Sequence, residues 1–361
     1  MTHTLDRSLE ILFVPGREPD YIRNLMLRQA LARRHQLFVA TESVRPASWR
    51  YARAVVRAAG QLRRRPDLVL AGFYAQPLMP LLRALTRRPL LLDAYVSTYD
   101  TLCFDRRRFR PHSLPGRLAY ALDLWSCRWA DHVLFDTAAH RDYFVETFGL
   151  SPSKTSVVYV GCDEAHFVPR LAPRTDGPLD VFTYTSFLDL HGVEHILRAA
   201  HLLAGQADVR FTIAGSGRRL EAMRQLARDL DLPNVDLPGW LPFDQLPERI
   251  ARADICLGGH FSDIAKAGRV IATKTFQFLA MAKPVIVGDN PASREVMVHG
   301  EHAYLCSMAD PASLADAVVR LRDDAALRRQ LSEGGRALFC ERFTVEATAL
   351  ALQEALDRML G

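Results

Sequence analysis

Short β-rich runs alternate with stretches of helical apolar spacing along the whole of this chain. Such alternation leaves few folds open: parallel strands joined by helices that pack on both faces of a sheet. In the first half, strands are predicted near Glu10–Val14, Leu37–Thr41, Asp67–Ala71, Pro89–Asp93, His132–Asp136 and Ser156–Val160. Helices fill the gaps over Tyr21–Arg34, Ser48–Arg64, Leu114–Trp129 and Ala138–Phe148. The second half repeats the rhythm, with strands near Asp180–Thr185, Arg210–Ala214, Val235–Leu237, Ile255–Leu257, Pro284–Val287 and Ala303–Cys306. Its helices are expected near Gly192–Leu203, Arg218–Leu230, Phe276–Ala282, Ser293–His299 and Pro311–Leu321, and two more, Asp324–Phe339 and Thr344–Leu360, close the chain.

A chain of 361 residues is longer than one hydrophobic core usually organises. The seam falls at Phe167 to Leu179, where Pro169, Pro173, Gly177 and Pro178 interrupt a stretch with no apolar period. The reading is α/β: two doubly wound, Rossmann-like domains whose strand C-termini face a central cleft, the place where such sheets bind ligands.

Composition excludes the other classes. Apolar residues at 49% and charged residues at 24% describe a globular chain. The greasiest region, Leu68 to Leu92, is broken by prolines and arginines, and no run nears the ~20 apolar residues of a spanning helix. Met1 to Glu10 contains acids and no apolar signal region, so the expectation is a cytoplasmic protein. Six cysteines, never closer than 24 residues, form no CxxC pair and give no support to a zinc or redox motif.

Charge is split unevenly. Residues 1–170 hold 25 basic and 16 acidic side chains, net +9, whereas residues 171–361 hold 21 and 25, net −4. A basic front half suggests an anionic partner there, whether membrane surface, phosphorylated acceptor or nucleic acid, against the plainer alternative of a solvated Arg-rich face. The segment Arg45–Arg65 could lie on a membrane as a basic amphipathic helix or be a solvated helix face. Lysine is scarce: 42 Arg stand against Lys154, Lys266, Lys274 and Lys283, the last three within eighteen residues. Where cations are otherwise written as Arg, a local return to Lys hints that a compact point charge is wanted.

Three segments carry chemistry. Ile213 to Arg218 runs from a strand through Gly215-Ser216-Gly217 into a helix, so backbone amides could meet a phosphate, although a plain tight turn has the same spelling. Tyr184 to Glu194 is the first strand, loop and helix start of the second domain; its tip offers Ser186, Gly192 and His191, the last a polar contact or a surface histidine. Phe261 to Ile286 places Lys266, Arg269 and Lys274 in a cationic loop before a helix, with Gln277 one turn further on; the alternative is a solvated basic loop.

The segment Lys274 to Ile286, with Gly288-Asp289 and Ser293-Arg294-Glu295-Val296, resembles the donor-binding core of retaining GT-B glycosyltransferases of the family-4, or glycosyl transferases group 1, type. Ala130-Asp131-His132-Val133 and Val160-Gly161-Cys162-Asp163, with Phe167-Val168-Pro169, resemble that family's front-half signatures. The resemblance implies a GT-B fold with an N-terminal acceptor domain over 1–170, a nucleotide-sugar domain over 171–343, and a final helix over 344–361 that packs back on the first. It implies that the Ser186–Gly192 and Gly215–Gly217 loops cradle the donor diphosphate. Gly239-Trp240-Leu241 would hold the base through backbone atoms, and Gln277, in place of a glutamate, would bind the ribose.

Two departures stand out. Arg269 falls where the family has its first motif glutamate, and the usual Arg and Lys of the loop after the first strand of the second domain are absent, leaving His191 as its potential cation. Lys266, Arg269 and Lys274 are therefore read as the catalytic cations that meet the departing diphosphate; a branch of the family with a K-x2-R-V-I-P-x-K-type loop is similar. In the first domain, Asp93, Ser97, Tyr99 and Asp100, with Asp105 and Arg106 beyond, are candidates for sugar or acceptor contacts or for loop capping, and Gly16 and Arg17 for acceptor or diphosphate. The lone DxD, Asp229-Leu230-Asp231, ends a predicted helix, so no metal and no cofactor beyond the nucleotide sugar is expected.

The resulting expectation is a retaining, metal-independent transferase that moves a hexose-type sugar from a nucleotide diphosphate to a glycan or lipid-linked acceptor. Its partners would be the donor, that acceptor and an anionic membrane surface at which it sits peripherally, with no nucleic acid. The alternatives are a GT-B nucleotide-sugar epimerase or phosphorylase, and a catalytically silent nucleotide-sugar-binding protein.

Overall fold

The computed structural model describes residues 7–40, 47–170 and 177–361. Pro173 of the expected seam and the opening of the Arg45–Arg65 segment lie outside the described residues. The chain forms two compact units, Met1–Val160 with Val345–Gly361, and Gly161–Thr344, against expected boundaries at 170 and 343.

Unit 1 contains β1 (Glu10–Val14), α1 (Ile22–Ala32), β2 (Gln36–Val39), α2 (Ala47–Leu62), β3 (Leu68–Ala71), α3 (Met79–Leu85), β4 (Leu90–Asp93), the single turn α4 (Thr98–Asp100), α5 (Leu114–Trp129), β5 (His132–Phe135), α6 (Ala138–Phe148) and β6 (Thr155–Val157). All its strands run parallel in the order β2-β1-β3-β4-β5-β6. A parallel sheet is covered on both faces, which is why its strands read as unbroken apolar runs. Leu12, Val14, Val69, Leu90, Leu92 and Val133 face α2, α3, α5 and α6. Their neighbours Ile11, Phe13, Leu68, Leu70 and Leu91 face α1 and the last helix of the chain.

Unit 2 contains β7 (Leu179–Thr185), α7 (Val193–Leu202), β8 (Val209–Gly215), α8 (Leu220–Asp229), β9 (Val235–Gly239), α9 (Leu246–Arg252), β10 (Ile255–Leu257), α10 (Thr273–Ala280), β11 (Val285–Gly288), α11 (Pro291–Arg294), β12 (Tyr304–Cys306), α12 (Pro311–Asp323) and α13 (Ala325–Arg342). The closing helix, α14 (Val345–Leu360), belongs to unit 1, where Val345, Ala349, Leu352 and Leu356 pack on α1. The second sheet is also wholly parallel, ordered β12-β11-β10-β7-β8-β9. Strand order therefore reverses between β1 and β3 in unit 1 and between β7 and β10 in unit 2, and each reversal opens a crevice at the strand C-termini.

One helix differs from expectation in a way that matters. The helix expected from Phe276 begins at Thr273, which draws Lys274 out of a loop and into its first turn. Its N-cap, Ala272, makes no side-chain cap bond, so the start carries no signal in the sequence. Helices that do carry one start where expected: Ser113 caps α5 and Thr137 caps α6 through side-chain oxygens.

Candidate functional site

The site in unit 2 is built where β7 and β10 part. The turn after β8 is locked against the loop after β7. A Cβ on Gly215 (φ +134°) would lie 1.8 Å from the Thr185 carbonyl oxygen, and one on Gly217 (φ +155°) 1.8 Å from that of Ser186. Both glycines are thus needed for the two loops to touch, whatever ligand lies above them. Gly192 (φ +67°) is equally constrained, since a Cβ there would meet the Ser262 amide nitrogen at 2.5 Å. Ser186, Ser216 and Gly217 remain exposed above these contacts. A pair missed in the sequence ties the loops further: Arg219 and Arg218 both bridge to Asp189.

Lys274 is the charged centre. Its side chain is buried and its Nζ donates to the Tyr184 carbonyl oxygen at 3.1 Å, reaching from α10 to β7. Burial alone pulls its ammonium down to about 7. One helical turn on, Gln277 is buried too, and its Oε1 accepts from the Tyr184 hydroxyl. Lys274 and Gln277, three residues apart, share one face of α10.

Two histidines complete this centre, and they correct an expectation. His191 was read as a potential cation of the loop after β7. Its Nδ1 meets Thr185 Oγ1 at 2.5 Å and the Leu188 amide at 3.4 Å. An amide can only donate, so Nδ1 accepts and the ring proton sits on Nε2. Burial, with Lys274 and His260 close by, holds His191 well below the usual histidine range, so it is neutral. His260 stacks on it, centroids 5.4 Å apart at 4°. Burial beside Lys274 and Lys266 pushes His260 down to about 3. Its Nδ1 is buried with no partner among the described residues, as a group awaiting a ligand would be. His260 was legible only by position, just past the end of β10.

Lys266 lies half-buried in the turn Ala265–Gly268, which packs beside the turn Asp189–His191. Arg269 follows it, also half-buried. Trp240 and Leu241 follow β9, next to the glycine turn's strand, with Trp240 71% exposed. The DxD lies elsewhere: Asp229 ends α8, whose ten residues put about 15 Å between it and the glycine turn.

In unit 1 the candidates for sugar or acceptor contacts or loop capping, Asp93, Ser97, Tyr99 and Asp100, are placed as follows. Asp93 is fully buried against Arg23, with the pair at 2.8 Å. Ser97 donates to Asp123 at 2.7 Å and caps the Asp100 amide, and Asp123 also accepts from the Thr98 and Tyr99 amides. Tyr99 packs edge-on against Tyr120 and Phe104. Asp100 is buried. Loop anchoring thus accounts for Ser97, with Asp123 as the anchor that sequence reading missed; burial pushes its carboxyl up to about 6. Gly16 and Arg17 fare differently. They lie at the β1/β3 crevice, where both amides donate to the Phe73 carbonyl and a Cβ on Gly16 would lie 2.1 Å from the Tyr74 carbonyl oxygen. Arg17 is exposed over the Tyr74 ring at 5.5 Å, beside the aromatic group Tyr21, Phe73 and Tyr95.

Two glycine-locked loops above a buried ammonium, on one doubly wound unit paired with another, agree with the similarities to known proteins. Residues 11–166 match the family described as Glycosyltransferase Family 4, and residues 180–324 match Glycosyl transferases group 1. The chain belongs to this glycosyltransferase family. Its fold is GT-B: it superposes on Anabaena HepE, solved with UDP-glucose, at a TM-score of 0.73 and 17% identity over 96% of this chain and 99% of that one. Sucrose-phosphate synthase from Thermosynechococcus elongatus gives 0.74 at 15% identity, over 96% and 98%. Among curated relatives, the lipopolysaccharide core biosynthesis glycosyltransferase LpsD of Rhizobium meliloti is 30% identical over 40% of each chain. The D-inositol 3-phosphate glycosyltransferase of Thermomonospora curvata is 28% identical over 64% of this chain and 56% of its own. The matches thus span two-fifths to just over half of the curated relatives' lengths.

Proposed function

We propose that this glycosyltransferase moves a hexose-type sugar, with retention and without a metal, from a nucleoside diphosphate to a glycan or lipid-linked acceptor at an anionic membrane surface in the cytoplasm. The observation that carries the reading is the buried Lys274 ammonium beneath the β7 and β8 loops. A lone desolvated cation is costly in the empty protein and becomes favourable once an anion replaces the lost water. Exposed amides of Ser216 and Gly217 would take the diphosphate, and Lys266 and Arg269 would add charge from the facing turn. The Gln277 carboxamide oxygen is occupied by Tyr184, which leaves its N–H groups to donate to a ribose diol. Exposed Trp240 offers a face to the base.

In the retaining step, the bond from the anomeric carbon to the diphosphate oxygen breaks while the acceptor oxygen bonds to the same face. The acceptor proton passes to the leaving phosphate oxygen, so no protein base is required. Support for doing without a metal lies in the cations already present and in the distance of the DxD from the turn. UDP-glucose, bound by HepE, is the first donor to test, with UDP, also bound by HepE, as the leaving nucleotide.

A thermal-shift screen over nucleotide sugars, followed by product analysis, tests the proposal: a bound donor raises the melting temperature by mass action. A transferred sugar with its anomeric configuration kept supports it. Free nucleotide with an epimerised sugar and no acceptor product indicates an epimerase, and tight binding with no turnover over a broad acceptor panel indicates a binding protein.

A further inference from the structure

Within unit 1, the β1/β3 crevice gathers charge around one residue held against its preference. Tyr74, three residues past β3, sits at φ +58°, a backbone region that favours glycine. Its position is enforced from three sides. The Gly16 and Arg17 amides donate to the Phe73 carbonyl, the Phe73 amide donates to Asn24 Oδ1, and the Tyr51 hydroxyl donates to the Tyr74 carbonyl at 3.4 Å. A glycine or asparagine would make this turn at less cost, so an aromatic side chain kept here implies a use for it. Two guanidiniums from separate loops meet at that side chain. Arg17, after β1, lies over the Tyr74 ring at 5.5 Å. Arg106, in the long loop after β4, acts with it on the hydroxyl: burial raises the Tyr74 pKa, and the charges of Arg106 and Arg17 and a bond with Thr101 pull it back. Both arginines are exposed. Glu18 accepts from Arg17 Nε at 2.9 Å, which leaves both Nη groups open among the described residues. Asp123, the carboxylate that also bears on the Tyr74 hydroxyl, is occupied by Ser97 and the Thr98 and Tyr99 amides. The solvent-reaching acids of the two loops are Glu18, Asp20 and Asp105, against five arginines, so the balance favours an anion.

We infer that Arg17, Arg106 and the Tyr74 hydroxyl form an anion subsite for the acceptor, and that this acceptor is a phosphate ester of a sugar or other polyol. Two guanidiniums and a phenol arriving from different loops suit the terminal oxygens of a tetrahedral phosphate. A carboxylate, with two oxygens in one plane, is served by a single guanidinium fork. The rings of Tyr21, Phe73 and Tyr95, grouped beside Tyr74, supply apolar surface for the polyol. That the ligand is the acceptor rests on the transferase reading proposed above; the anion subsite itself does not.

The test is a ligand-observed NMR titration of the full chain with inorganic phosphate, glucose 6-phosphate and, as the uncharged control, glucose. At pH 8 a phosphate monoester is a dianion, while Lys274, titrating at about 7, is largely neutral and competes little for it. Glucose 6-phosphate should bind about tenfold or more tighter than glucose, and Arg17→Gln/Arg106→Gln should erase that difference and weaken inorganic phosphate to the same degree. Both side chains are exposed, so the melting temperature and the UDP-glucose thermal shift should persist in that variant. Arg107→Gln/Arg108→Gln, an equal charge change on exposed neighbours in the same loop, should leave phosphate binding intact, as should Lys274→Met in unit 2. The inference is overturned if the unaltered protein binds neither phosphate, or binds glucose and its 6-phosphate alike. It is overturned equally if the Arg107 and Arg108 pair loses as much binding, or if binding survives Arg17→Gln/Arg106→Gln and disappears in Lys274→Met. No donor is present in these titrations, so an absent UDP-glucose shift in the unaltered protein counts against the transferase reading and leaves the subsite standing.

Discussion

Raising the pH should weaken donor binding, and by a calculable amount. Free Lys274 titrates at about 7 because it is buried without a counter-charge. A nucleotide sugar's diphosphate stays ionised above neutrality, so binding it restores an ordinary lysine environment and lifts that value. Binding then favours the protonated protein. Kd should be flat below pH 7 and rise about tenfold per pH unit above it, to about 100-fold at pH 9. The Lys274 contribution to protein stability moves the other way over this range. The assay is titration calorimetry at pH 6, 7, 8 and 9 with whichever nucleotide sugar shifts the melting temperature most. At pH 8, in buffers of different ionisation heat, close to one proton (about 0.9) should be taken up per donor bound. A second arm uses Lys274→Met, which should weaken binding at pH 6 by about 10²-fold and flatten the profile. A flat profile and no proton uptake in the unaltered protein would refute the claim that Lys274 meets the diphosphate.

The same lysine has a stability signature. Between about 7 and 10.5 the unfolded chain holds the Lys274 proton that the folded one releases, so the cost of burial is complete below pH 7 and fades as pH rises towards the unfolded value. Lys274→Met should therefore stabilise the ligand-free protein, most at pH 6 to 7 and by at most about 5 kcal/mol, as urea unfolding across pH will read. Gly215→Ala should lose donor binding and cost about 2–4 kcal/mol, because its Cβ overlaps the Thr185 carbonyl oxygen at 1.8 Å and its φ is +134°; an unchanged unfolding midpoint would contradict the loop-locking account. Arg17→Ala should raise the acceptor KM several-fold and leave donor Kd unchanged, given its exposed place over Tyr74 in unit 1. Kinetics varied in each substrate separate the two, and an altered donor Kd would argue against the assignment.

Much of the architecture was legible because parallel strands advertise themselves. Runs such as Ile11 to Val14 or Leu90 to Leu92 are apolar on both faces, and Ser113 and Thr137 announce the helices that follow them. α10 did not announce its start, since Ala272 lacks a capping side chain, and that hid the burial of Lys274. α3 and α9, each only seven residues, are too short to display a period. In the site, glycines and lysines could be singled out by type and position. Their surroundings could not, because desolvation is a tertiary property: nothing local tells that His260 is buried or that Asp123 gathers the loop after β4. Asp93 looked available at a strand end, yet its partner Arg23 lies seventy positions away in sequence.

The charge arrangement at the β7/β10 crevice follows from crowding. His260 is buried and His191 half-buried beside Lys274, whose charge raises the cost of protonating both imidazoles. In such a cluster the proton goes to the group with the highest intrinsic affinity, which is the lysine, and both imidazoles stay neutral. The loop after β7 therefore needs no cation of its own: a neutral His191 adds no charge that would depress Lys274 further. A cation in that loop would do the reverse, destabilising the buried ammonium by like-charge repulsion whenever the site is empty. A positive charge at a desolvated helix start acts more strongly on an anion than one in a solvated loop, and its burial makes it sensitive to pH near neutrality.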